Sequence, residues 1–160
     1  MNFSLLRQLD IANGKGCRVS LFVSGCEHHC KNCFNTYTWN FDAGKPFTDE
    51  TVDKILDLAR PDHISGLSVL GGEPLHPRNR SEVLELIKVF KKTYPDKTVW
   101  VWTGYLWEEV SEFVLGSGID VLVDGKFVEE LKDLRLKYRG SSNQRVIDVL
   151  KSTNTVPSLL

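Results

Sequence analysis

The chain has 160 residues, 41% of them hydrophobic and 26% charged, the balance of a single ordinary globular domain able to bury its own core. Its formal net charge is −1 with Lys and Arg spread along the sequence, which argues against the dense basic surface that duplex nucleic acid demands. No run is long enough to span a bilayer, and the opening MNFSLLRQLDIANGKG lacks the core and cleavage site of a signal peptide, so the expected setting is the cytoplasm.

Residues 1–16 read as a short N-terminal segment without an assigned element. CRVSLFV, Cys17 to Val23, is rich in β-branched and aromatic residues and predicts a strand. Thr48 then stands as an N-cap before Asp49 and Glu50, whose charges suit the positive end of a helix, with Phe47 and Val52 at the staple positions. Val52, Ile55, Leu56 and Ala59 repeat at helical spacing until Pro61 stops the run.

The plan then recurs. Gly66 to Leu70 predicts a second strand, and Val83, Leu86, Ile87 and Phe90 mark a helix reaching about Tyr94. Lys97 to Thr103 predicts a third strand; Leu106, Val110, Phe113 and Val114 mark a third helix, ended by Gly116-Ser117-Gly118. Ile119 to Val123 predicts a fourth strand, Arg145 to Leu150 one more, and residues 151–160 a loose tail or a segment ordered by a partner.

Strands alternating with helices predict an α/β fold with a parallel sheet covered by helices. A closed eight-unit barrel needs about 250 residues, so the expected architecture is an open sheet or a partial βα barrel. Ligands in such folds bind at the carboxyl ends of the strands. The first predicted strand runs into Cys26, Cys30 and Cys33, and the second into Gly71-Gly72-Glu73-Pro74. The third ends at Thr103-Gly104-Tyr105 and the fourth at Asp124-Gly125-Lys126. All the chemically unusual segments thus fall on one sheet edge.

Two glycines let the backbone approach a ligand, and Pro74 favours an extended Glu73 with its carboxylate and backbone turned outward. A plain strand-end turn with a solvated acid accounts for the same letters. Asp124-Gly125-Lys126 reads more simply as a turn with two solvated charges, and Trp100 and Trp102 as core residues at strand spacing. His63 and His76 are loop histidines without an evident partner, and Cys17 is most simply a small buried residue.

Three of the four cysteines lie within the eight residues 26–33, at C-x3-C-x2-C spacing. In a reducing compartment such spacing points to metal ligands or catalytic thiols. A closed zinc site needs four ligands, and no second knuckle follows, although His28 or His29 would be available. Disulfide chemistry fits Cys30-x-x-Cys33 but leaves Cys26 unexplained. An iron–sulfur cluster matches best: three thiolates on a [4Fe–4S] cluster leave one iron without a protein ligand.

The cysteine spacing together with Gly71-Gly72-Glu73-Pro74 resembles the radical S-adenosylmethionine superfamily. Within it, the strings GCRVSLFVSGC, VWTGY, VDGKF and RGSSNQRVID resemble the activating components of anaerobic (class III) ribonucleoside-triphosphate reductases, a likeness running from about Cys17 to Asp148. The resemblance implies a [4Fe–4S] cluster on Cys26, Cys30 and Cys33, with the amine and carboxylate of S-adenosylmethionine chelating the fourth iron. It implies that Gly71, Gly72 and Glu73 bind the methionyl amine, with Asp124 and Lys126 near the ribose or carboxylate and Thr103 also in the cofactor set. The aromatic that often precedes the last cysteine in the superfamily is Asn32 here, and Phe34 is the candidate to replace it against the adenine.

The implied activity is reductive cleavage of S-adenosylmethionine and abstraction of a glycine hydrogen from the large reductase subunit. The implied partners are that subunit and an electron donor such as flavodoxin, with neither nucleic acid nor membrane involved. Rival readings are a different glycyl-radical activase, a deazapurine-forming enzyme, or a zinc-binding interaction module.

Overall fold

Eight strands join in one sheet in the computed structural model, which describes residues 1–160. They are β1 (Asn2–Asp10), β2 (Cys17–Val23), β3 (Lys45–Pro46), β4 (Ile64–Gly71), β5 (Thr98–Trp102), β6 (Val121–Asp124), β7 (Arg145–Asp148) and β8 (Ser158–Leu159). Their order is β3-β1-β2-β4-β5-β6-β7-β8. The helices are α1 (Asp49–Ala59), α2 (Arg80–Thr93) and α3 (Trp107–Val114), each lying between consecutive strands of the parallel set β2, β4, β5 and β6. α1 starts where the cap pattern places it, with the Thr48 amide donating to Thr51 Oγ1 at 3.2 Å.

The parallel centre agrees with the sequence; the flanks do not. The segment left without an element carries β1, which pairs antiparallel with β2. Register breaks between Phe3 and Leu5 and between Arg7 and Asp10 shift the phase of its alternation, which hides the strand from a period-2 reading. β7 is antiparallel to β6 and shorter than expected. The tail is not loose. Trp107 Nε1 donates to the Thr153 carbonyl at 3.0 Å, Ser111 Oγ to Asn154 Oδ1 at 2.8 Å, and β8 pairs with β7. No helix is long and apolar enough to cross a membrane.

Alternation along the strands gives the sheet two different faces. Val19, Leu21 and Val23 of β2, Leu67 and Val69 of β4, and Val99 and Val101 of β5 pack with all three helices in a cluster of 22 buried residues. The expectation of helices covering the sheet is met on this face only. The intervening residues point the other way, where Trp100, Val121 and Val123 pack with Trp102, Tyr138 and Val146.

Arg18 is also buried on this second side of β2. Its guanidinium donates to Ser68 Oγ (2.7 Å), Thr98 Oγ1 (2.9 Å) and the carbonyls of Lys15, Leu67 and Thr98, and it lies over the Trp100 ring. Burial without a directly bonded carboxylate pulls its pKa down to about 10. The rest of this face opens into a cavity.

Candidate metal centre

The cavity measures about 480 Å³. Its walls include Phe22 and Leu70 from the second face, Cys26, Cys30 and Cys33 from the loop after β2, and Gly71, Gly72 and Glu73 after β4. Trp102, Thr103 and Gly104 contribute from the end of β5, and Lys126, Phe127 and Tyr138 from the irregular segment after β6. The segments that follow β2, β4, β5 and β6 therefore meet at one cavity.

Backbone bonds join the first two strand ends. Gly72 N–H donates to the Val23 carbonyl and Glu73 N–H to the Gly25 carbonyl, both at 2.8 Å. Asn79, buried at the start of α2, donates its side-chain amide to the carbonyls of Ser24 (3.0 Å) and Glu73 (3.1 Å). Gly71 has φ of +107°, and a Cβ there would meet Phe22 Cα at 2.8 Å, so no side chain is tolerated where the chain leaves β4. The cysteine loop is closed at its neck by Gly25 N–H to the Thr38 carbonyl (2.7 Å) and Cys26 N–H to the Trp39 carbonyl (3.0 Å).

All three thiols are free and partly buried. They line the cavity without converging on a point that one ion would occupy. Three thiols lining one cavity supply the donor set of a polynuclear cluster, in which each thiolate takes a different iron. Burial pushes the Cys26 thiol up to about 11, and burial and the neighbouring Cys33 raise Cys30, against which the Phe127 amide and Lys126 pull downward. Both thiols are therefore protonated near neutral pH, and metal loading must expel their protons. Cys17 begins β2, at the end opposite the loop, and takes no part in the site.

Glu73 departs from expectation. Its carboxylate is not turned outward: the residue is 1% exposed and its two oxygens accept four hydrogen bonds. Leu75 N–H (2.9 Å) and Thr103 Oγ1 (2.7 Å) donate to Oε1, and Gly104 N–H and His28 Nε2, each at 2.7 Å, reach Oε2. The reason is the position of the β5 end, whose hydroxyl and amide face the acid from the neighbouring strand. Thr103 accordingly faces Glu73 as well as the cavity.

Asp124 is likewise drawn away from the cavity. It is buried, accepts Trp107 N–H at 2.7 Å and is held by Arg145, so its carboxylate is occupied behind the wall. Lys126 stands exposed at the rim. Asn32 is exposed and off the cavity, at a φ of +55° that asparagine tolerates better than most residues. Phe34 does line the cavity, 57% exposed, with its ring 5.0 Å from that of Phe127.

Other residues were not foreseen. His76 is buried rather than partnerless: its Nδ1 accepts Arg78 N–H, which leaves the proton on Nε2 for Glu27 Oε2 at 3.1 Å. Trp102, read as core, forms cavity wall, its Nε1 donating to the Tyr138 carbonyl at 2.7 Å. The RGSSNQR string acts as a clasp. Gln144 donates to the Gly125 carbonyl and accepts Gly140 N–H, each at 2.9 Å, while Asn143 donates to the Lys126 carbonyl at 2.8 Å. Paired amides in that string were the signal available for this role.

A thiol-lined cavity at the end of a parallel sheet suits an iron–sulfur protein. In agreement, the family model described as a 4Fe-4S single cluster domain matches residues 12–147. Proteins named anaerobic ribonucleoside-triphosphate reductase-activating protein are similar over most of the chain. That of Vibrio cholerae is 47% identical over 148 residues, covering 90% of this chain and 96% of its own. That of Enterobacteria phage T4 is 41% identical over 91% of this chain and 93% of its own, and that of Escherichia coli K12 is 45% identical over 91% and 97%. The chain belongs to the 4Fe-4S single-cluster family and to the family of anaerobic ribonucleoside-triphosphate reductase-activating proteins.

Proposed function

We propose that this protein is a radical S-adenosylmethionine activase, a cytoplasmic enzyme that installs a glycyl radical on the large subunit of anaerobic ribonucleoside-triphosphate reductase. One observation carries the reading: three free thiols and the Gly71-Gly72 backbone line the same cavity. Cys26, Cys30 and Cys33 would hold a [4Fe–4S] cluster, which would supply the one-electron reductive cleavage of S-adenosylmethionine to methionine, with the electron drawn from a donor such as flavodoxin and the glycine hydrogen ending on 5′-deoxyadenosine.

The chain's own residues bind and orient. Gly71 and Gly72 admit the methionyl end close to the backbone. Lys126 at the rim supplies a cation for its carboxylate, whereas Asp124, already occupied, shapes the turn that carries Lys126. Phe34 with Phe127 offers the apolar wall for the adenine in place of Asn32. Glu73 holds the strand ends together, so the methionyl amine is left to backbone carbonyls. The sheet serves as an open βα barrel, with the cavity on the face that the helices leave free.

The test is anaerobic reconstitution followed by incubation with the reductase, S-adenosylmethionine and a reductant. The expected result is a glycyl-radical EPR signal with 5′-deoxyadenosine formed stoichiometrically. Bound zinc without iron, or cleavage with no radical on the reductase, sinks this reading.

A further inference from the structure

We infer that His28 is a positioning residue that sets the register of the cysteine loop against the ends of β4 and β5. The inference rests on the cluster reading above, because it concerns where the loop holds its thiols.

His28 lies midway between Cys26 and Cys30, so whatever fixes its ring fixes the span between two of the thiols. Three side chains in this span make contacts outside it: His29 stacks on Trp39 at the loop's own neck, and the other two reach the segment after β4. Glu27 meets His76 at 3.1 Å from a side chain 71% exposed, whereas the His28 side chain is 11% exposed and meets the buried Glu73 at 2.7 Å. Only the second bond is shielded from water, where a hydrogen bond to a carboxylate counts for more.

The place is shaped for the ring. Tyr105 packs edge-on against it with centroids 4.9 Å apart. Gly104 lies so close that a Cβ built there would stand 2.4 Å from His28 Cδ2. Glu73 also takes Thr103 and Gly104 of the next strand end, so His28 completes a hydrogen-bonded chain across three strand ends. Without it the loop keeps its neck bonds at Gly25 and Cys26 but loses its buried anchor to the opposite wall.

The experiment compares wild type, His28→Ala, His28→Gln and Gly104→Ala. In the metal-free proteins, hydrogen exchange at residues 26–33 is expected to quicken in His28→Ala while α2 and β5 keep wild-type protection. In the reconstituted proteins, a chelator is expected to strip iron from His28→Ala about 10- to 100-fold faster, the range for loss of an outer-shell partner. His28→Gln, which keeps an N–H donor, is expected to recover most of that difference. Gly104→Ala, which displaces the ring without removing it, is expected to reproduce the loss.

Wild-type iron retention and loop protection in His28→Ala overturns the inference, as does a loss of protection spread evenly over α2 and β5. A wild-type protein that binds no iron–sulfur cluster overturns the functional reading instead, and the exchange measurement still decides whether His28 anchors the loop.

Discussion

The Arg145 guanidinium clasps the buried Asp124 carboxylate side-on, with Nε 3.0 Å from Oδ1 and Nη2 2.5 Å from Oδ2. Arg145 reaches on to Glu108, so one cation joins β6, β7 and the first turn of α3. The Asp124 side chain is 0% exposed, and removing its partner strands a charge in the interior. Arg145→Met is expected to lower the unfolding free energy of the metal-free protein by about 3 kcal/mol, the low end of the range for breaking a buried pair, because Arg145 itself is partly exposed. Anaerobic urea titration measures this.

Glu108 gives the pair a pH signature. The Arg145 hydrogen bond holds the Glu108 carboxyl below its ordinary value of 4.5. A carboxyl depressed in the folded state stabilises above the unfolded value and loses that contribution as pH falls through the folded one. Wild type is expected to be more stable than Glu108→Gln near pH 7, with the gap closing below pH 4.5. A gap independent of pH contradicts the assignment.

Replacing Glu73 by Gln keeps its shape and spoils its bonding. Whichever oxygen becomes an amide nitrogen, it must face a backbone N–H that can only donate, either that of Leu75 or that of Gly104. The expected cost is about 1–3 kcal/mol in urea titration, the penalty of an unmet buried polar group. Affinity for S-adenosylmethionine, followed by equilibrium binding, is expected to fall with it.

The cysteines separate by location. Cys26→Ala, Cys30→Ala and Cys33→Ala are each expected to lose most of their iron on reconstitution, and Cys17→Ala to retain it, by iron and sulfide analysis. Loss in Cys17→Ala would contradict its placement at the far end of β2.

Gln144 is tested by mobility. Gln144→Ala removes bonds at both ends of residues 125–140 and is expected to raise hydrogen exchange there, leaving α1 and α2 protected. The global cost is expected to be about 1 kcal/mol.

Elements with a clean period were legible from the sequence. α1 and α2 follow their apolar spacing, and the parallel strands follow their unbroken hydrophobic runs. β1 was hidden because its register slips twice, and the wall after β6 because it has no period. At the site, letters located the strand ends and the thiols. They could not reveal that Glu73 turns inward, because its donors come from residues 28, 75, 103 and 104, near one another only after folding. The same holds for Asp124, whose cation lies 21 positions on.

The two-faced sheet makes adjacent letters answer to separate demands. Along β2 and β4, Leu21 and Val69 sit among the helices while their neighbours Phe22 and Leu70 line the cavity. A library screened by melting temperature would therefore grade the first pair and overlook the second. Selection for a bound iron–sulfur cluster would weigh both, so the two screens run in parallel would trace the boundary between scaffold and workplace, strand by strand.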